Sequence, residues 1–281
     1  MLYKIIFSDL DGTIGDDNYE YSSQNIAAIK LAKENGIDVV LCSGRTPISL
    51  VHVGNLMKID ATYAIGFNGG TVWDIKQNKA LFAKTMPKEL ALEIISLIQD
   101  KTPATVGVYT KPNILVTKNW VEGKRGLYEE GITHIQVSDI IPHIEADVLK
   151  VLVIGDPKEL VKMETFIKDK IKDRFTMVYT ATTMLEFIPL NVNKGAGMSW
   201  LANHLGIPLP QTVGFGDNYN DMELIQTAGL GIAVANAVEP LKSAADFVTK
   251  ADNNNSALAE VVDYIIQLNE KNKKRNGEHR L

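Results

Sequence analysis

Two aspartates two residues apart, Asp9 and Asp11, are the first residues of this 281-residue sequence whose type and spacing suit catalysis. Carboxylates two positions apart on a loop can point in one direction without pairing. Other polar side chains follow apolar segments or open a helical pattern further along: Ser43, Asn68, Lys194, Asp217, Asn220 and Asp221. Carboxylates from two such loops can form an oxygen site for Mg²⁺, which prefers carboxylate and water ligands.

These residue types suit the chemistry of a phosphate group. A bound Mg²⁺ and the ammonium of Lys194 can neutralise phosphate charge. Ser43 and the backbone N–H groups that follow it can donate hydrogen bonds to phosphate oxygens at a helix N-terminus. A carboxylate that is relieved of phosphate repulsion in this way can act as a nucleophile.

The elements that must position these residues form a parallel α/β pattern. Short apolar strands alternate with capped helices in the first third of the chain, at Tyr3–Ser8, about 22–35, Ile37–Cys42, about 47–57 and Ala61–Gly66. The same alternation returns at Lys194 and continues to a last helix at Ser256–Leu268. Because ligands collect outside the carboxyl ends of parallel strands, we expect the polar residues to meet in one crevice.

The alternation is interrupted in the middle of the chain. A hairpin at Thr71–Thr85, a helix at about 87–101 and several further strands indicate a separate α+β unit. We therefore predict a Rossmann-like parallel sheet core made of residues 1–82 and 189–281, with an inserted α+β domain at 83–188. The two crossings between them are expected near Phe82–Met86 and Phe187–Asn191, and the polar tail after Glu270 is expected to be frayed.

Composition limits the partners and the compartment. Hydrophobic residues make up 45% and the formal net charge is −5, which indicates a globular chain without a basic field for nucleic acid. The single cysteine, Cys42, excludes an internal disulfide and favours a reducing compartment. No apolar run approaches the roughly 18 residues of a membrane span. We expect a cytoplasmic monomer or weak homodimer with no nucleic-acid or membrane partner.

Four motifs in order resemble those of the haloacid dehalogenase superfamily. They are DLDGT from Asp9, SGR from Ser43, Lys194, and GDNYND from Gly216. The inserted domain lies between the second and third motifs, where this superfamily carries its C2 caps. Together with FNGG from Phe67 and PLNVNKG from Pro189, the pattern resembles the Cof-type phosphatases with a C2B cap, and it covers residues 3 to 268. Asn191 replaces a common glycine, but asparagine tolerates the left-handed conformation that the turn requires.

The resemblance implies a role for each motif residue. Asp9 would be the nucleophile that forms an aspartyl-phosphate, and Asp11 would protonate the leaving oxygen and then activate water. Lys194 would bind the transferring phosphoryl group and Asp9. Ser43 and the backbone of Gly44 would also bind that phosphoryl group.

The resemblance also implies a Mg²⁺ site and substrate contacts. The Asp9 carboxylate, the Asp11 backbone carbonyl and Asp217 would hold the ion. Asn220 and Asp221 would orient Lys194 and metal-bound water. Together with Ser43 and Gly44, the candidates for substrate binding are Arg45, Asn68 and Asn220.

Structural roles compete with these functional ones. Asp9 and Asp11 could be turn residues, Ser43 the cap of the next helix, and Lys194 a solvated surface lysine. Asp217 and Asp221 could cap the helix that follows them. Arg45 could form a structural salt bridge, Asn68 could be a turn residue, and Cys42 is expected to be a buried, inert thiol.

The function that these motifs favour is a Mg²⁺-dependent phosphatase acting on a small phosphorylated metabolite, with sugar phosphates as the favoured class. A phosphomutase would share the aspartyl-phosphate but return the phosphoryl group to a bound sugar. A phosphate-ligand binding protein would have lost the chemistry, and the presence of both Asp9 and Asp11 argues against it. Asp11 argues against an ion-pumping ATPase, because those relatives carry a lysine at this position and need membrane spans.

Overall fold

The chain folds around two separate β-sheets. The computed structural model describes residues 2–99, 104–110, 113–117, 133–171 and 173–278. The larger sheet contains β1 Ile5–Ser8, β2 Asp38–Cys42, β3 Tyr63–Gly66, β4 Thr71–Asp74, β5 Lys79–Ala83, β12 Thr212–Gly216, β13 Leu230–Ala233 and β14 Phe247–Val248. The smaller sheet contains β6 Thr105–Tyr109, β7 Ile114–Val116, β8 His134–Gln136, β9 Lys150–Ile154, β10 Phe175–Ala181 and β11 Met184–Pro189.

The larger sheet has the strand order β14-β13-β12-β1-β2-β3-β4-β5 in the described part of the chain. From β14 to β3 all neighbours are parallel, and the β4–β5 hairpin adds two antiparallel strands at one edge. The central strand β1 is buried along its whole length. Its residues are apolar apart from Ser8, as expected for a parallel strand that is covered on both faces. The predicted α/β fold class is confirmed.

Helices cover both faces of this larger sheet. They are α1 Ser23–Glu34, α2 Pro47–Leu56, α5 Lys194–His204, α6 Met222–Thr227, α7 Glu239–Ala244 and α8 Ala257–Glu278. The apolar side chains of the sheet alternate between two clusters, with Ile6 in one and Ile5 and Phe7 in the other. Packing on both faces fixes the register of β1, and therefore the position of the loop that follows it.

The smaller sheet has the order β10-β11-β9-β6-β7-β8 among the described residues. Helices α3 Lys88–Gln99 and α4 Pro157–Lys170 pack on one face of it in their own apolar cluster. This sheet and its helices form the inserted α+β unit that we expected. Strand β8 was not predicted. The boundaries at 82/83 and 188/189 stay a prediction, with β5 ending at Ala83 and β11 at Pro189.

The C-terminal segment differs from the expectation. Residues after Glu270 were expected to fray, but α8 continues to Glu278. The sequence there is rich in lysine, glutamate and arginine, which have good helix propensity and need no apolar face to extend an existing helix. Among the described helices, none is both long and apolar enough to cross a membrane.

Candidate active site

The first motif places Asp9 directly after β1, in the middle of the larger sheet. The Asp9 amide donates to the carbonyl of Phe215 on β12 at 2.8 Å, so the loop leaves the sheet in a fixed direction. The Asp9 side chain is 7% exposed. Lys194, the first residue of α5, places its Nζ 2.6 Å from Asp9 Oδ1 and 2.5 Å from Asp221 Oδ1.

Lys194 is fully buried, so the alternative of a solvated surface lysine is wrong. Burial by itself would lower the pKa of Lys194, but the carboxylates of Asp221 and Asp9 more than offset this and raise it above its ordinary value. The ammonium therefore stays charged at physiological pH. The turn that precedes Lys194 forms as predicted, because Asn191 adopts the left-handed conformation with φ of 58°.

Asp221 has hydrogen-bond partners on both carboxylate oxygens. Its Oδ1 binds Lys194, and its Oδ2 accepts from the backbone amides of Asp217 and Asn218 at 3.0 Å each. This aspartate therefore caps its own turn and orients Lys194 at the same time. Gly216 permits the close approach, because a Cβ there would lie 2.4 Å from the Asp221 carboxyl carbon.

Asp217 is held by the first-motif loop. The hydroxyl of Thr13 donates to Asp217 Oδ1 at 2.7 Å. Gly12, at a φ of 81°, brings the first-motif loop so close that a Cβ would lie 2.8 Å from Asp217 Oδ2. The glycine and the threonine of the DGT motif therefore each have a local structural role. Gly12 forms a left-handed turn, and the hydroxyl of Thr13 orients Asp217.

The carboxylates of Asp9, Asp217 and Asp221 each offer an oxygen within 4.8 Å of the others. Burial, Asp9 and Asp221 raise the pKa of Asp217 to about 9, and burial followed by Asp9 raises the pKa of Asp221 to about 6. Within this described cluster three carboxylates face one ammonium, so a divalent cation would relieve a real excess of negative charge. Since Asp221 already has partners on both oxygens, Asp9 and Asp217 are the residues that fit Mg²⁺ as carboxylate ligands.

The second motif forms a turn between β2 and α2. Ser43 is 2% exposed, and its Oγ accepts from the amide of Arg45 at 3.2 Å. The alternative that Ser43 caps the next helix is wrong, because Thr46 does so by accepting from the Ser49 amide at 3.1 Å. Ser43 and Gly44 instead line the same cavity as Asp9.

Arg45 pairs with Asp11 rather than standing free at the cavity wall. Its Nε lies 2.8 Å from Asp11 Oδ2 and its Nη2 lies 2.5 Å from Asp11 Oδ1, so the pair is bidentate. The Arg45 side chain is 3% exposed and that of Asp11 is 24% exposed. The sequence left a substrate contact and a salt bridge open for Arg45, and the structure shows the salt bridge.

Asn68 follows β3 and is buried, with a φ of 55° in the left-handed region. Its Oδ1 accepts from Asn220 Nδ2 at 3.1 Å, and its Nδ2 donates to Glu186 Oε2 at 3.2 Å. Asn220 lines the Asp9 cavity, whereas Asn68 stands behind it. A direct contact of Asn68 with substrate therefore stays a prediction.

A cavity of about 340 Å³ lies between the two sheets, and Asp9 and Asp11 line it. The smaller sheet contributes the wall opposite Asp9 and Asp11 with Tyr109, Lys150, Thr180, Ala181, Met184 and Glu186. None of these was singled out in the sequence. The strand pattern of the inserted unit predicts which residues alternate on a face, but not which face meets the catalytic loops.

Cys42 was expected to be a buried, inert thiol. It is fully buried, and burial raises the pKa of its thiol well above the ordinary range. The expected burial of Cys42 is therefore confirmed, and its inertness stays a prediction. Tyr21, which was not predicted, lies beside the Arg45–Asp11 pair, and burial raises its pKa to about 12, so its hydroxyl stays protonated.

Comparison with known proteins identifies the family of this chain. The family model described as haloacid dehalogenase-like hydrolase matches residues 6–262. YxeH of Bacillus subtilis strain 168 is 31% identical over 259 residues, which cover 90% of this chain and 94% of YxeH. The HMP-PP phosphatase of Shigella boydii serotype 4 is 25% identical, with 84% of this chain and 89% of that protein covered.

A solved structure has the same fold. The crystal structure of a haloacid dehalogenase-like hydrolase from Bacteroides thetaiotaomicron superposes with a TM-score of 0.84 and 26% sequence identity. The match covers 94% of this chain and 99% of that one. The chain belongs to the haloacid dehalogenase-like hydrolase family, and the resemblance of its four motifs to the Cof-type phosphatases is confirmed.

Proposed function

We propose that this phosphatase of the haloacid dehalogenase superfamily hydrolyses a small phosphorylated metabolite through an aspartyl-phosphate on Asp9, with Mg²⁺ as its cofactor. The observation that carries the proposal is the ion pair of Asp9 with the fully buried Lys194, at the floor of a cavity that Asp11 also lines. Burying an ammonium and two carboxylates together costs free energy. A turn with a purely structural role would therefore not be expected to contain this arrangement.

In the first step, a carboxylate oxygen of Asp9 forms a bond to phosphorus while the bond from phosphorus to the leaving oxygen breaks. Arg45 must first release one of the two Asp11 oxygens that it holds in this structure, and Asp11 can then carry a proton and give it to that leaving oxygen. In the second step, the Asp11 carboxylate takes a proton from water, and the water oxygen attacks phosphorus. This releases inorganic phosphate and regenerates Asp9.

The surrounding groups hold the phosphoryl group in place for both steps. Lys194 keeps Asp9 in position and adds positive charge where the phosphoryl oxygens lie. Ser43 and the backbone amide of Gly44 are the proposed donors for those oxygens. Mg²⁺, held by the carboxylates of Asp9 and Asp217 and the backbone carbonyl of Asp11, would supply the charge that lets an anionic nucleophile approach an anionic ester.

The inserted unit, residues 83–188, is proposed as a cap that selects the substrate. Its Tyr109, Thr180 and Met184 form part of the cavity wall that faces the catalytic loops. This wall combines an aromatic ring, a hydroxyl and an apolar chain, which suits a small leaving group with polar and apolar parts. We propose a sugar phosphate as the substrate class, and one relative of this chain is named an HMP-PP phosphatase.

The remaining expectations belong to the same proposal. A cytoplasmic location fits a chain whose single cysteine is a buried thiol. A monomer or weak homodimer, with no nucleic-acid or membrane partner, fits a chain with a formal net charge of −5.

The test is a phosphate-release screen of the purified protein over a panel of phosphorylated metabolites, with Asp9→Asn as the matched inactive control. We expect one or a few esters to release phosphate steadily in the presence of Mg²⁺. Transfer of the phosphoryl group to a second sugar instead of water would make the protein a phosphomutase. Binding without turnover over the whole panel would contradict the proposal and favour a phosphate-ligand binding protein.

A further inference from the structure

Two charged side chains of the smaller sheet are buried in the cleft between the sheets, although neither belongs to the four motifs. Lys150 on β9 and Glu186 on β11 are each 3% exposed, and Lys150 Nζ lies 2.7 Å from Glu186 Oε1. Their neighbours Val151 and Phe187 point to the opposite face, into the apolar cluster with α3 and α4. The ion pair is therefore no part of the apolar core of its own domain.

The partners of this pair lie on the larger sheet. Lys150 Nζ donates to the backbone carbonyl of Gly44 at 3.2 Å, and Glu186 Oε2 accepts from Asn68 Nδ2 at 3.2 Å. Asn68 accepts in turn from Asn220. The contacts thus run from the smaller sheet to the turn that holds Ser43 and to the loop that holds Asp217 and Asp221.

The loop that Glu186 contacts is held in an unfavourable backbone conformation. Phe67 and Asn68 are successive residues with φ of 51° and 55°, a left-handed geometry that costs free energy in residues other than glycine. Their amides donate to the carbonyls of Arg45 at 2.9 Å and Ser43 at 3.0 Å. The ring of Phe67 packs edge-on against Tyr109 of the smaller sheet at a centroid distance of 5.7 Å. The loop therefore has partners on both sides only when the two sheets are together.

A buried ion pair is weak evidence for stability by itself, because desolvation offsets much of its attraction. Here the ammonium of Lys150 and the carboxylate of Glu186 also need their hydrogen-bond partners on the larger sheet, because both groups are shielded from water. Lys150 also lies 4.4 Å from the Tyr109 ring centroid, which adds a cation–π contact. A pair of this kind favours one arrangement of the two sheets over neighbouring ones, since a shift would keep the ion pair but break the hydrogen bonds of Lys150 to Gly44 and of Glu186 to Asn68.

We propose that Lys150 and Glu186 are positioning residues: together they form a Lys150–Glu186 bridge that closes the smaller sheet over the site and thereby fixes the Ser43–Arg45 turn. The proposal rests on the proposed function to the extent that this turn binds the phosphoryl group. The bridge itself touches the turn through the Gly44 carbonyl, next to Ser43 in the sequence.

The first test measures the backbone directly, without substrate. In the full-length protein, amide hydrogen exchange at Phe67 and Asn68 reports whether their hydrogen bonds to the turn persist. We expect Lys150→Met and Glu186→Gln to accelerate exchange at these two amides by about tenfold or more. The matched control is Lys162→Met, which breaks an ion pair of the same 2.7 Å length to Glu159 on the exposed side of α4 and should leave both rates unchanged.

The second test separates positioning from mere stability. With para-nitrophenyl phosphate as probe, Lys150→Met should lower kcat by about tenfold to a hundredfold with a smaller change in KM, since the turn is displaced while the cavity remains. Lys150→Arg, which keeps a charged donor, should recover part of the loss. Lys162→Met should keep the kcat of the unmodified protein.

Exchange at Phe67 and Asn68 equal to that of the unmodified protein in both variants would overturn the bridge. Faster exchange spread evenly over the smaller sheet would overturn it as well, because it would show a loss of stability rather than of positioning. Should Lys150→Met fail to fold, Glu186→Gln, which keeps the size of the side chain, decides the question alone. Failure of the unmodified protein to hydrolyse any ester would contradict the proposed function and leave the exchange test valid.

Discussion

The guanidinium of Arg45 holds the Asp11 carboxylate at two points, with Nε 2.8 Å from one oxygen and Nη2 2.5 Å from the other. The pair joins the first and second motifs across the cavity. A planar fork of this kind fixes the rotation of the carboxylate as well as its position. The residue proposed to move protons therefore has an orienting partner that the sequence places 34 positions away.

This pairing predicts that Arg45→Lys lowers kcat by about tenfold to a hundredfold, because an ammonium cannot reproduce the fork. Steady-state kinetics on the best substrate of the panel provide the measurement. The matched control is Arg174→Lys, whose ion pair with Glu93 at 2.8 Å is half exposed and should contribute little. A raised KM at unchanged kcat would instead assign Arg45 to substrate binding.

Asp9→Asn should lower the turnover rate by about a thousandfold or more without unfolding the protein, because an amide is a poor nucleophile toward phosphorus. Lys194 keeps its contact with Asp221, so the buried ammonium retains a counter-charge. Circular dichroism and a phosphate-release assay check the two halves of this prediction. Turnover within about tenfold of the unmodified protein would remove Asp9 from the role of nucleophile.

Asp11→Asn separates the two chemical steps. The variant lacks the group that activates water, so an ester with a good leaving group should still phosphorylate Asp9 while hydrolysis of the intermediate slows. Mass spectrometry of protein quenched in acid should detect the phosphorylated aspartate. If no phosphoprotein accumulates while turnover proceeds at the normal rate, Asp11 has no part in the second step.

The acidic cluster predicts a pH dependence of stability in the presence of EDTA. The pKa of Asp217 is raised to about 9 in the folded protein, whereas a carboxyl in an unfolded chain titrates near pH 4. Between these values the folded state holds a proton that the unfolded state has lost, so stability falls as pH rises. Tm measured from pH 5 to 9 should fall less steeply in Asp217→Asn than in the unmodified protein.

The control for that experiment is Asp263→Asn, an exposed position on α8, which should keep the slope of the unmodified protein. Addition of Mg²⁺ should raise Tm most at the alkaline end, where the uncompensated carboxylates are ionised. A Tm that rises with pH in EDTA would contradict the prediction.

Thr13→Val should weaken the apparent Mg²⁺ affinity about tenfold, because Asp217 loses the hydroxyl that orients it. Activity titrated against free Mg²⁺ after EDTA treatment gives the measurement, and Asp217→Ala should weaken the affinity further. Thr71→Val is a suitable control, since the Thr71 hydroxyl is buried without a hydrogen-bond partner among the described residues. Cys42→Ala should also leave the Mg²⁺ response unchanged, and full activity in EDTA would contradict the metal assignment.

The parallel α/β class and most of the candidate catalytic residues could be predicted from the sequence. The short apolar strands and capped helices reflect local propensity and burial on both sheet faces, which act over a few residues. The sequence also predicts that Asp9, Lys194 and Asp221 lie close together, because the carboxyl ends of parallel strands share one edge of the sheet. Even the turn at Asn191 followed from the conformational tolerance of asparagine.

The side chains that complete the site depend on tertiary contacts and could not be predicted in this way. Thr46 rather than Ser43 caps α2, and Arg45 pairs with Asp11, because these outcomes depend on loop geometry over a few ångströms. Lys150 and Glu186 look like ordinary strand residues in the sequence, and their burial follows from the way one sheet covers the other. Contacts between two sheets depend on the relative placement of whole domains, which no local pattern of residues encodes.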